Sequence, residues 1–394
     1  IATNGGDIEI NNSGIFTGGA NSLTTNNGGA ITLNQNEGGL IQNAIDAIDN
    51  SGDGKNKINV GAGTFKESLD VNVANLSLKG EQDGNSAIGR NNADESTIKP
   101  NGSAGITVTA NYVTIDGFEI DGGGPGIKLN GANGANGAHH AVVKNNHIHN
   151  QKEVGGTRDD GIQVLRAQDV TIKQNRIEDV GDEAIYATGN INGLTVKKNK
   201  LRQNAQTGGG VPHTVELINA RGDAEFKQNF IEDSDTGHNN AVFRFKNSNN
   251  LGNITITNNS VTGHDASGKA IWNSTDTTID ASGNWWGVDP REGSNGALPI
   301  DNAMTGDVDF TPMLVSGTDN DTDAANGFQG DFTALFVTEK GKQTDPGLNN
   351  SIIGDFDPDD NQLRINEGID SVSNSTVYVG AGSFDENVVI NKAV

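Results

Sequence analysis

The sequence contains no cysteine, and only 5% of its 394 residues are aromatic. The lack of cysteine excludes disulfides and thiol chemistry. Hydrophobic residues make up 33% of the chain, and 54 residues are glycine. This is too little apolar material for one large globular core, but it is enough for a narrow inner stack of side chains.

Basic residues are also scarce. The chain has 27 Lys and Arg against 51 Asp and Glu, which gives a net charge of −24 at pH 7. Nucleic acids and anionic lipids require a basic surface, so we expect neither as a partner, whereas divalent cations suit this charge. No apolar run approaches the roughly 18 residues of a membrane helix, so we expect no membrane span. Because the sequence starts at Ile1 without a signal peptide, we expect any export signal upstream or already removed.

One short pattern recurs along the middle of the chain. Alternating apolar and polar residues lead to an asparagine, as in AVVKNN from Ala141 and VTIKQN from Val170. The period of two predicts a strand with one buried face, and a spacing of about 24 to 30 residues predicts one solenoid coil per unit. Because asparagine tolerates a left-handed backbone and its amide can bond to a copy of itself, we expect a stacked column at one corner. Its members are Asn146, Asn175, Asn199, Asn229, Asn259 and Asn284.

A second strand follows at a fixed place in each unit, for example GIQV from Gly161 and AIYA from Ala184. Two strands per coil that recur in one order must each pair in parallel with their own copies. At this point the sequence resembles the right-handed parallel β-helix superfamily. The resemblance implies an all-β fold, a right-handed parallel β-helix or solenoid. Because that superfamily contains polysaccharide-active enzymes, phage tailspikes and bacterial surface proteins, the fold does not name the function.

A longer repeat frames the solenoid. VGAGTFKE from Val60 returns as VGAGSFDE from Val379, and each copy follows an apolar, helix-like segment, from Ile41 and from Ile365. Apolar residues at helical spacing from Ile41 predict a short N-terminal helix that caps the open end of the coils. This opening resembles that of bacterial β-helix modules, so we expect a piece of a tandem array. The segments are the end of a preceding solenoid at 1–40, a complete β-helix module at 41–315, an acidic linker at 316–364 and the start of the next module at 365–394.

The expected exit of the module contains two tryptophans. GNWWGVDP from Gly283, followed by GDVDFTPML from Gly306, resembles the closing segment of β-helix modules in large bacterial cell-surface proteins. Trp285 and Trp286 offer a large apolar area where the last coil needs a cover. We interpret them as an end cap, with a sugar-stacking platform as the alternative.

A groove is predicted beside the second strand. Alignment of these strands places Asp160, Glu183 and His213 in one column, on coils about 4.8 Å apart. Two carboxylates on adjacent coils repel each other, which raises one pKa or recruits a cation. The paired aspartates before Gly161 resemble those of polygalacturonase-like enzymes, although the Asn-Thr-Asp triplet and the Gly-His-Gly sequence of those enzymes are absent. Three interpretations stay open: solvated turn residues, a structural cation site, or a catalytic site.

Acidic loops are the other candidates for cation binding. Carboxylates at alternate positions resemble the start of an oxygen-rich calcium loop, but the terminal glutamate of such a loop is missing. The residues are Asp49, Asp53, Asp319, Asp321, Asp323, Asp355, Asp357 and Asp359. We predict that calcium stiffens the joint between modules, with solvated loops as the alternative. His147 and His149, which alternate on one strand face, are either exposed strand residues or a surface pair for a transition-metal ion.

The outward face of the second strand supplies candidate docking residues. If Val242 points inward, then Tyr186, Phe243 and Trp272 form a surface for a glycan or a neighbouring protein. A shifted register would instead turn Phe243 and Phe245 inward and keep Arg244 out of the core.

These features predict a non-enzymatic module of an exported bacterial surface protein. Continuous parallel pairing provides stiffness, so we expect a spacer, an adhesin stalk or a building block of an extracellular filament or layer. Neighbouring modules and other copies of the chain are the expected partners, with glycans as further candidates. The competing hypotheses are a polysaccharide lyase or hydrolase that uses the groove around Asp160, and a glycan-binding module without turnover.

Overall fold

The chain forms a solenoid of short, parallel strands in the computed structural model. The structure describes residues 2–4, 8–10, 24–26, 30–33, 40–48, 56–91, 94–100, 104–131, 137–152, 158–203, 213–233, 241–247, 250–263, 269–292, 300, 303–339, 364–372, 376–384 and 386–390. This architecture confirms the all-β fold expected from the period-two pattern. In the described part of the chain, no helix is long and apolar enough to cross a membrane.

The central coils have three strands each, where the sequence predicts two. We name the sheets by strand position: sheet 1 holds the strands that lead to the asparagines, sheet 3 the strands that follow them, and sheet 2 the predicted second strands. Sheet 1 contains Ile8–Ile10, Ala30–Leu33, Asn56–Val60, Leu76–Lys79, Thr114–Asp116, Val142–Lys144, Thr171–Lys173, Leu194–Lys197, the second half of Val215–Lys227, Asn250–Thr257, Ile279–Asp280 and Val308–Asp309. Sheet 2 contains Leu69–Val71, Ile106–Val108, Ile127–Asn130, Ile162–Leu165, Ile185–Asn190, the first half of Val215–Lys227, Ala241–Lys246, Lys269–Ser274 and Met304–Thr305. Sheet 3 contains Gly63–Phe65, Ser96–Ile98, Phe118–Asp121, His147–His149, Arg176–Glu178, Lys200–Gln203, Phe230–Asp233 and Ser260–Thr262.

The core is a narrow stack of apolar side chains inside the three sheets. Register pairs place equivalent residues directly above one another, for example Val143 on Ile172 in sheet 1 and Ile148 on Ile177 in sheet 3. These four side chains are fully buried. Burial of each such side chain stabilises the fold by about 1.5 to 3 kcal/mol.

The six predicted asparagines lie in one buried ladder between sheets 1 and 3. In each step, Oδ1 of one asparagine accepts hydrogen bonds from both the backbone N–H and the side-chain amide of the asparagine on the preceding coil, at 2.8 to 3.1 Å. The side-chain amide also donates to a carbonyl of sheet 1, as Asn199 does to Ile172 at 3.0 Å. The ladder starts at Phe118, whose N–H donates to Asn146. Each amide therefore satisfies backbone groups that the bend takes out of the sheets.

The prediction that the stacked asparagine has the left-handed backbone at this corner is wrong. The residue before it has that backbone. Positive φ angles occur at Asn145, Gln174, Lys198, Gln228 and Asn258, at 53 to 58°, and at Gly283. The asparagine is needed for its amide, and the preceding residue makes the bend. Several of these bend residues also hold the segment 319–330, part of the predicted linker, against the corner. Gln174 donates to the Ala325 carbonyl at 3.1 Å, and the N–H of Gly330 donates to Asn258 Oδ1 at 2.9 Å.

The two copies of the long repeat make the same contact. Helix α1, Leu40–Asp46, precedes the first copy, and helix α2, Arg364–Ser371, precedes the second. The Glu67 carboxylate accepts from the N–H groups of Ile41 and Gln42 at 3.0 and 3.1 Å. Glu386 accepts in the same way from Ile365 and Asn366 at 2.9 and 3.1 Å. An anion at a helix N-terminus is favourable, so one carboxylate fixes each helix to the strand region after it.

A small sheet joins the two copies. Ala334–Val337 pairs antiparallel with Met313–Leu314 and parallel with Thr376–Val379. In the first copy, Ala30–Leu33 pairs in parallel with Asn56–Val60, so Ala334–Val337 holds the equivalent place. The domain boundaries themselves stay predictions. Ala2–Asn4 and Thr24–Asn26 form a separate parallel pair, and single 3-10 turns lie at Pro290–Glu292 and Ala324–Asn326.

We predict that Asn199→Ala strongly destabilises the solenoid. The change leaves the Asn175 N–H and the Ile172 carbonyl buried without their partner, which costs about 2 to 4 kcal/mol of unfolding free energy. Urea unfolding followed by circular dichroism measures the loss. Asn85→Ala is the control, because Asn85 is exposed and makes one long side-chain bond of 3.3 Å. Equal stability of the two variants would contradict a structural role for the ladder.

Candidate functional site

The predicted groove residues form a buried column beside sheet 2. Asp160, Glu183 and His213 are 0%, 3% and 1% exposed, so the interpretation as solvated turn residues is wrong. Asp160 Oδ1 accepts from the Glu183 N–H at 3.1 Å, and Glu183 Oε1 accepts from the His213 N–H at 3.4 Å. His213 Nδ1 lies 2.9 Å from the N–H of Ala241. Each side chain thus faces a backbone donor on the next coil. The asparagine ladder has the same geometry, but here ionisable side chains take the place of the amides.

Two arginines bring positive charge to this column. Arg158 Nε lies 3.2 Å from Asp160 Oδ2, and a terminal nitrogen of Arg158 contacts Glu183. Arg244 Nη1 lies 3.1 Å from Glu216 Oε1 and 2.7 Å from His213 Nε2. Arg158 was not predicted, although it stands two residues before Asp160 and its spacing could have shown it. The guanidinium of Arg158 supplies the charge that a bound cation would otherwise bring.

Burial changes the proton affinity of the column. It raises the pKa of Asp160 and of Glu216, and it raises that of Glu183 well above the ordinary range, with the Asp160 charge as a further cause. Burial and the Arg244 charge lower the pKa of His213 to about 3. The histidine is therefore not protonated at neutral pH. Carboxyl groups that retain a proton can act as general acids, but here the guanidinium and backbone contacts occupy their oxygen atoms.

The outward row of sheet 2 lies next to this column. Register pairs align Gln163, Tyr186, Glu216, Arg244 and Trp272 on successive coils. Arg158 lies over the Tyr186 ring at 4.1 Å, and Arg244 lies over the Trp272 ring at 4.9 Å. Both rings are partly buried. The row presents aromatic rings and guanidinium groups at one surface.

Phe243, a predicted docking residue, is not part of that surface. It pairs in register with Val215 and Ile271, is fully buried and packs with Phe245 in the core. The shifted register is therefore correct. It places Arg244 outward, which avoids burial of a guanidinium among apolar side chains.

The two tryptophans at the exit occupy different environments. Trp286 is 1% exposed and belongs to the main core. Trp285 packs against a second cluster of Leu314, Phe328, Leu335 and Val372. Both positions fit an end cap. Trp285 is partly buried, and the residues of this second cluster cover it.

The acidic loop at Asp319, Asp321 and Asp323 uses its carboxylates within the loop. Asp319 accepts from the Gln329 N–H at 2.9 Å, Asp321 from the Asp323 N–H at 2.9 Å, and Asp323 from the Ala325 N–H at 3.0 Å. These carboxylates do not form a converging set of three ligands in the described part of the chain. Asp49, Asp53, Asp355, Asp357 and Asp359 lie outside the described residues. Calcium binding stays a prediction.

Comparison with known proteins identifies the family. The model of the right-handed beta helix region matches residues 89–285, half of the chain. The chain belongs to the right-handed β-helix family. No curated protein matches this β-helix chain.

Two solved structures are similar to the β-helix. An alginate lyase from Paenibacillus sp. str. FPU-7 is 15% identical, with a TM-score of 0.40 over 65% of this chain and 95% of the lyase. The ORF18 protein of Geobacillus virus E2 is 17% identical, with a TM-score of 0.36 over 71% of this chain and 58% of the viral protein. Both likenesses concern the fold alone.

We predict that Asp159→Asn stabilises the protein at neutral pH. Burial and the Asp182 charge raise the Asp159 pKa from 3.8 to about 6. A raised pKa in the folded state gives stability that is complete below about pH 4 and is lost as the pH rises through 6. The variant should therefore exceed wild type by about 1 kcal/mol at pH 8, because water screens this partly exposed carboxylate.

Thermal unfolding at pH 8 and pH 4 measures this difference, which should vanish at pH 4. Asp331→Asn is a control of opposite sign, because hydrogen bonds from Thr333 lower the Asp331 pKa. A destabilised Asp159→Asn at pH 8 would refute the repulsion between the two aspartates.

Proposed function

We propose that the chain is a rigid structural module of an exported bacterial surface protein, where it acts as a spacer, an adhesin stalk or a building block of an extracellular filament or layer. The observation that carries this proposal is the repeated opening, in which Glu67 and Glu386 fix helices α1 and α2 in the same way. One solenoid is thus followed by the start of a second. A tandem array becomes longer when such units follow one another in the same chain.

The joint between the two copies is packed, which supports stiffness. Leu314 of the first copy, Phe328 and Leu335 of the predicted linker and Val372 of the second copy form one apolar cluster. Arg364 Nη1 of helix α2 lies 3.6 Å from Asp309 Oδ1 of sheet 1, and both side chains are buried. A buried apolar cluster with an ion pair resists bending better than an exposed linker.

The length of the solenoid also fits a spacer. Twelve strands of sheet 1 stack in parallel from Ile8–Ile10 to Val308–Asp309, and strands lie about 4.8 Å apart, so the stack is about 50 Å long. Its backbone hydrogen bonds run along the axis. Separation of two neighbouring coils along this axis therefore requires several backbone hydrogen bonds to break.

The groove around Asp160 favours a structural role over catalysis. Asp160, Glu183 and His213 face backbone donors of neighbouring coils, and Arg158 fills the space between the two carboxylates. A catalytic acid or base has to reach a substrate atom within hydrogen-bond distance.

We predict that Leu335→Asp separates the second copy from the first. A carboxylate in the apolar cluster is unpaired, which disfavours the packed joint. Hydrogen exchange measured by mass spectrometry should become at least tenfold faster in Arg364–Ser371 and Thr376–Val379, and stay unchanged in sheet 2. Val388→Asp, at a side chain that is 47% exposed, is the control. Fast exchange of both segments in the unmodified protein would contradict a stiff joint.

Glycan binding is a second candidate function. The favouring observation is the outward row of sheet 2, where the Tyr186 and Trp272 rings lie beside two guanidinium groups. Aromatic faces and polar groups in one row suit a sugar ring, which has apolar and hydroxyl-bearing surfaces. On this proposal the row binds a glycan without turnover.

A panel of acidic and neutral polysaccharides tests both proposals. If the row binds a glycan, Trp272→Ala should weaken binding at least tenfold, whereas Tyr112→Ala, an exposed aromatic outside the row, should not. Chain-end assays should detect no cleavage products. Cleavage that Asp160→Asn abolishes, with folding verified by circular dichroism, would overturn the structural proposal in favour of a lyase or hydrolase.

A further inference from the structure

A cluster of two histidines and several carboxylates lies on sheet 3, away from the Asp160 column. His147 and His149 are two residues apart on one strand, so both point outward while Ile148 enters the core. Glu119 is the register partner of His147 on the adjacent strand. The histidine side chains are 19% and 15% exposed, so the interpretation as exposed strand residues is wrong.

Three ligand atoms converge at this place. His149 Nε2 lies 3.0 Å from Glu119 Oε1, and His147 Nδ1 lies 4.0 Å from the same oxygen. The two imidazole rings stack with centroids 4.3 Å apart. One donor atom from each of the three residues lies within 4.8 Å of the others. Ligand atoms around Zn²⁺ lie about 2.0 to 2.2 Å from the metal and about 3.3 Å from one another. Small side-chain rotations would therefore bring these three donor atoms to ligand distances.

An outer polar group lies behind each ring. His147 Nε2 lies 3.0 Å from Glu178 Oε1, which keeps a proton on Nε2 and directs the lone pair of Nδ1 toward Glu119. Arg176 holds Glu178 at 2.7 Å. His149 Nδ1 lies 2.7 Å from Asn150 Nδ2, and the same amide donates to Asp121 Oδ1 at 2.9 Å. A carboxylate behind a metal-binding histidine fixes the tautomer and raises ligand basicity, so Glu178 matches that arrangement at His147.

Glu119 and His147 have protonation states that suit metal ligands. The hydrogen bond from His149 lowers the pKa of Glu119, and burial lowers the pKa of His147. Near neutral pH, Glu119 is therefore ionised and His147 is neutral. Burial opposes the charge on His149, but the hydrogen bond to Glu119 raises its pKa overall. A metal ion would displace this proton and take its place between His149 and Glu119.

We propose that Glu119, His147 and His149 form a binding site for a divalent transition-metal ion, with Zn²⁺ as the best fit. Two imidazole nitrogens and one carboxylate select such an ion over Ca²⁺, which prefers oxygen ligands alone. The site borders an open cleft of about 670 Å³, lined among others by Thr97, Arg90 and Arg176. The ion therefore keeps a fourth position for water or an anionic ligand.

A second group of carboxylates does not share these properties. Asp160, Asp182 and Glu183 also converge, but all their donors are oxygen atoms and the Arg158 guanidinium lies among them. This contrast assigns the metal to sheet 3.

Calorimetric titration of ZnCl₂ into the whole, EDTA-treated chain tests the proposal. We expect one site at Glu119, and at least tenfold weaker binding in Glu119→Gln, which keeps the size of the side chain. His147→Ala and His149→Ala should lose binding to a similar degree. Co²⁺ in place of Zn²⁺ should give a visible absorption spectrum of nitrogen coordination that the same variants lose.

His140→Ala is the matched control, because this exposed histidine also lies near a carboxylate, 3.5 Å from Asp169, but its ring stacks on Tyr112 and not on a second imidazole. It should bind Zn²⁺ as wild type does. Glu178→Gln tests the positioning role and should weaken binding about tenfold while leaving a single site. Absence of Zn²⁺ binding by the wild-type chain, or equal affinity of wild type and Glu119→Gln, would overturn the proposal.

Discussion

Five bends between sheets 1 and 3, from Asn146 to Asn259, each depend on a buried amide that bonds to the coil on either side of it. The bend turns the chain out of one sheet before the next begins, which leaves a backbone N–H and a carbonyl without sheet partners. Asparagine satisfies both, because its oxygen accepts two hydrogen bonds and its nitrogen donates two. Aspartate lacks the donor and alanine lacks both groups. The ladder from Asn146 to Asn284 thus satisfies the backbone groups that these bends remove from the sheets.

The Asp160 column solves the same problem at another corner with ionisable groups. A carboxylate or an imidazole can accept from a backbone N–H, but a buried negative charge is costly unless a cation lies beside it. Arg158 and Arg244 meet that requirement. Residue types that resemble catalytic machinery are therefore explained by the needs of the backbone. The histidine pair on sheet 3 differs, since its nitrogens point to a carboxylate on the surface and not to the backbone.

Much of the fold was predictable from the sequence, since a repeated period-two pattern ending in Asn146 and its equivalents defines a coil. The third strand was missed because segments such as His147–His149 are only three residues long and carry one apolar residue each. The register at Phe243 stayed open because Val242 and Phe243 are both apolar, and only the outward Arg244 distinguishes the alternatives. Glu119 was missed for another reason: its partner His149 lies 30 residues away in the chain and meets it only through coil stacking. Arg158 meets Glu183, 25 residues away, in the same manner, and only its spacing from Asp160 could have shown it.

The packed joint has a geometric consequence for any longer chain of such units. Because Ala334–Val337 is hydrogen-bonded to the end of one copy and the beginning of the next, the second unit has one fixed rotation and translation relative to the first. Repetition of one fixed operation generates a screw axis. A polymer of these units would therefore be a superhelix, whose pitch is set by a three-stranded sheet and four apolar side chains rather than by the solenoids themselves.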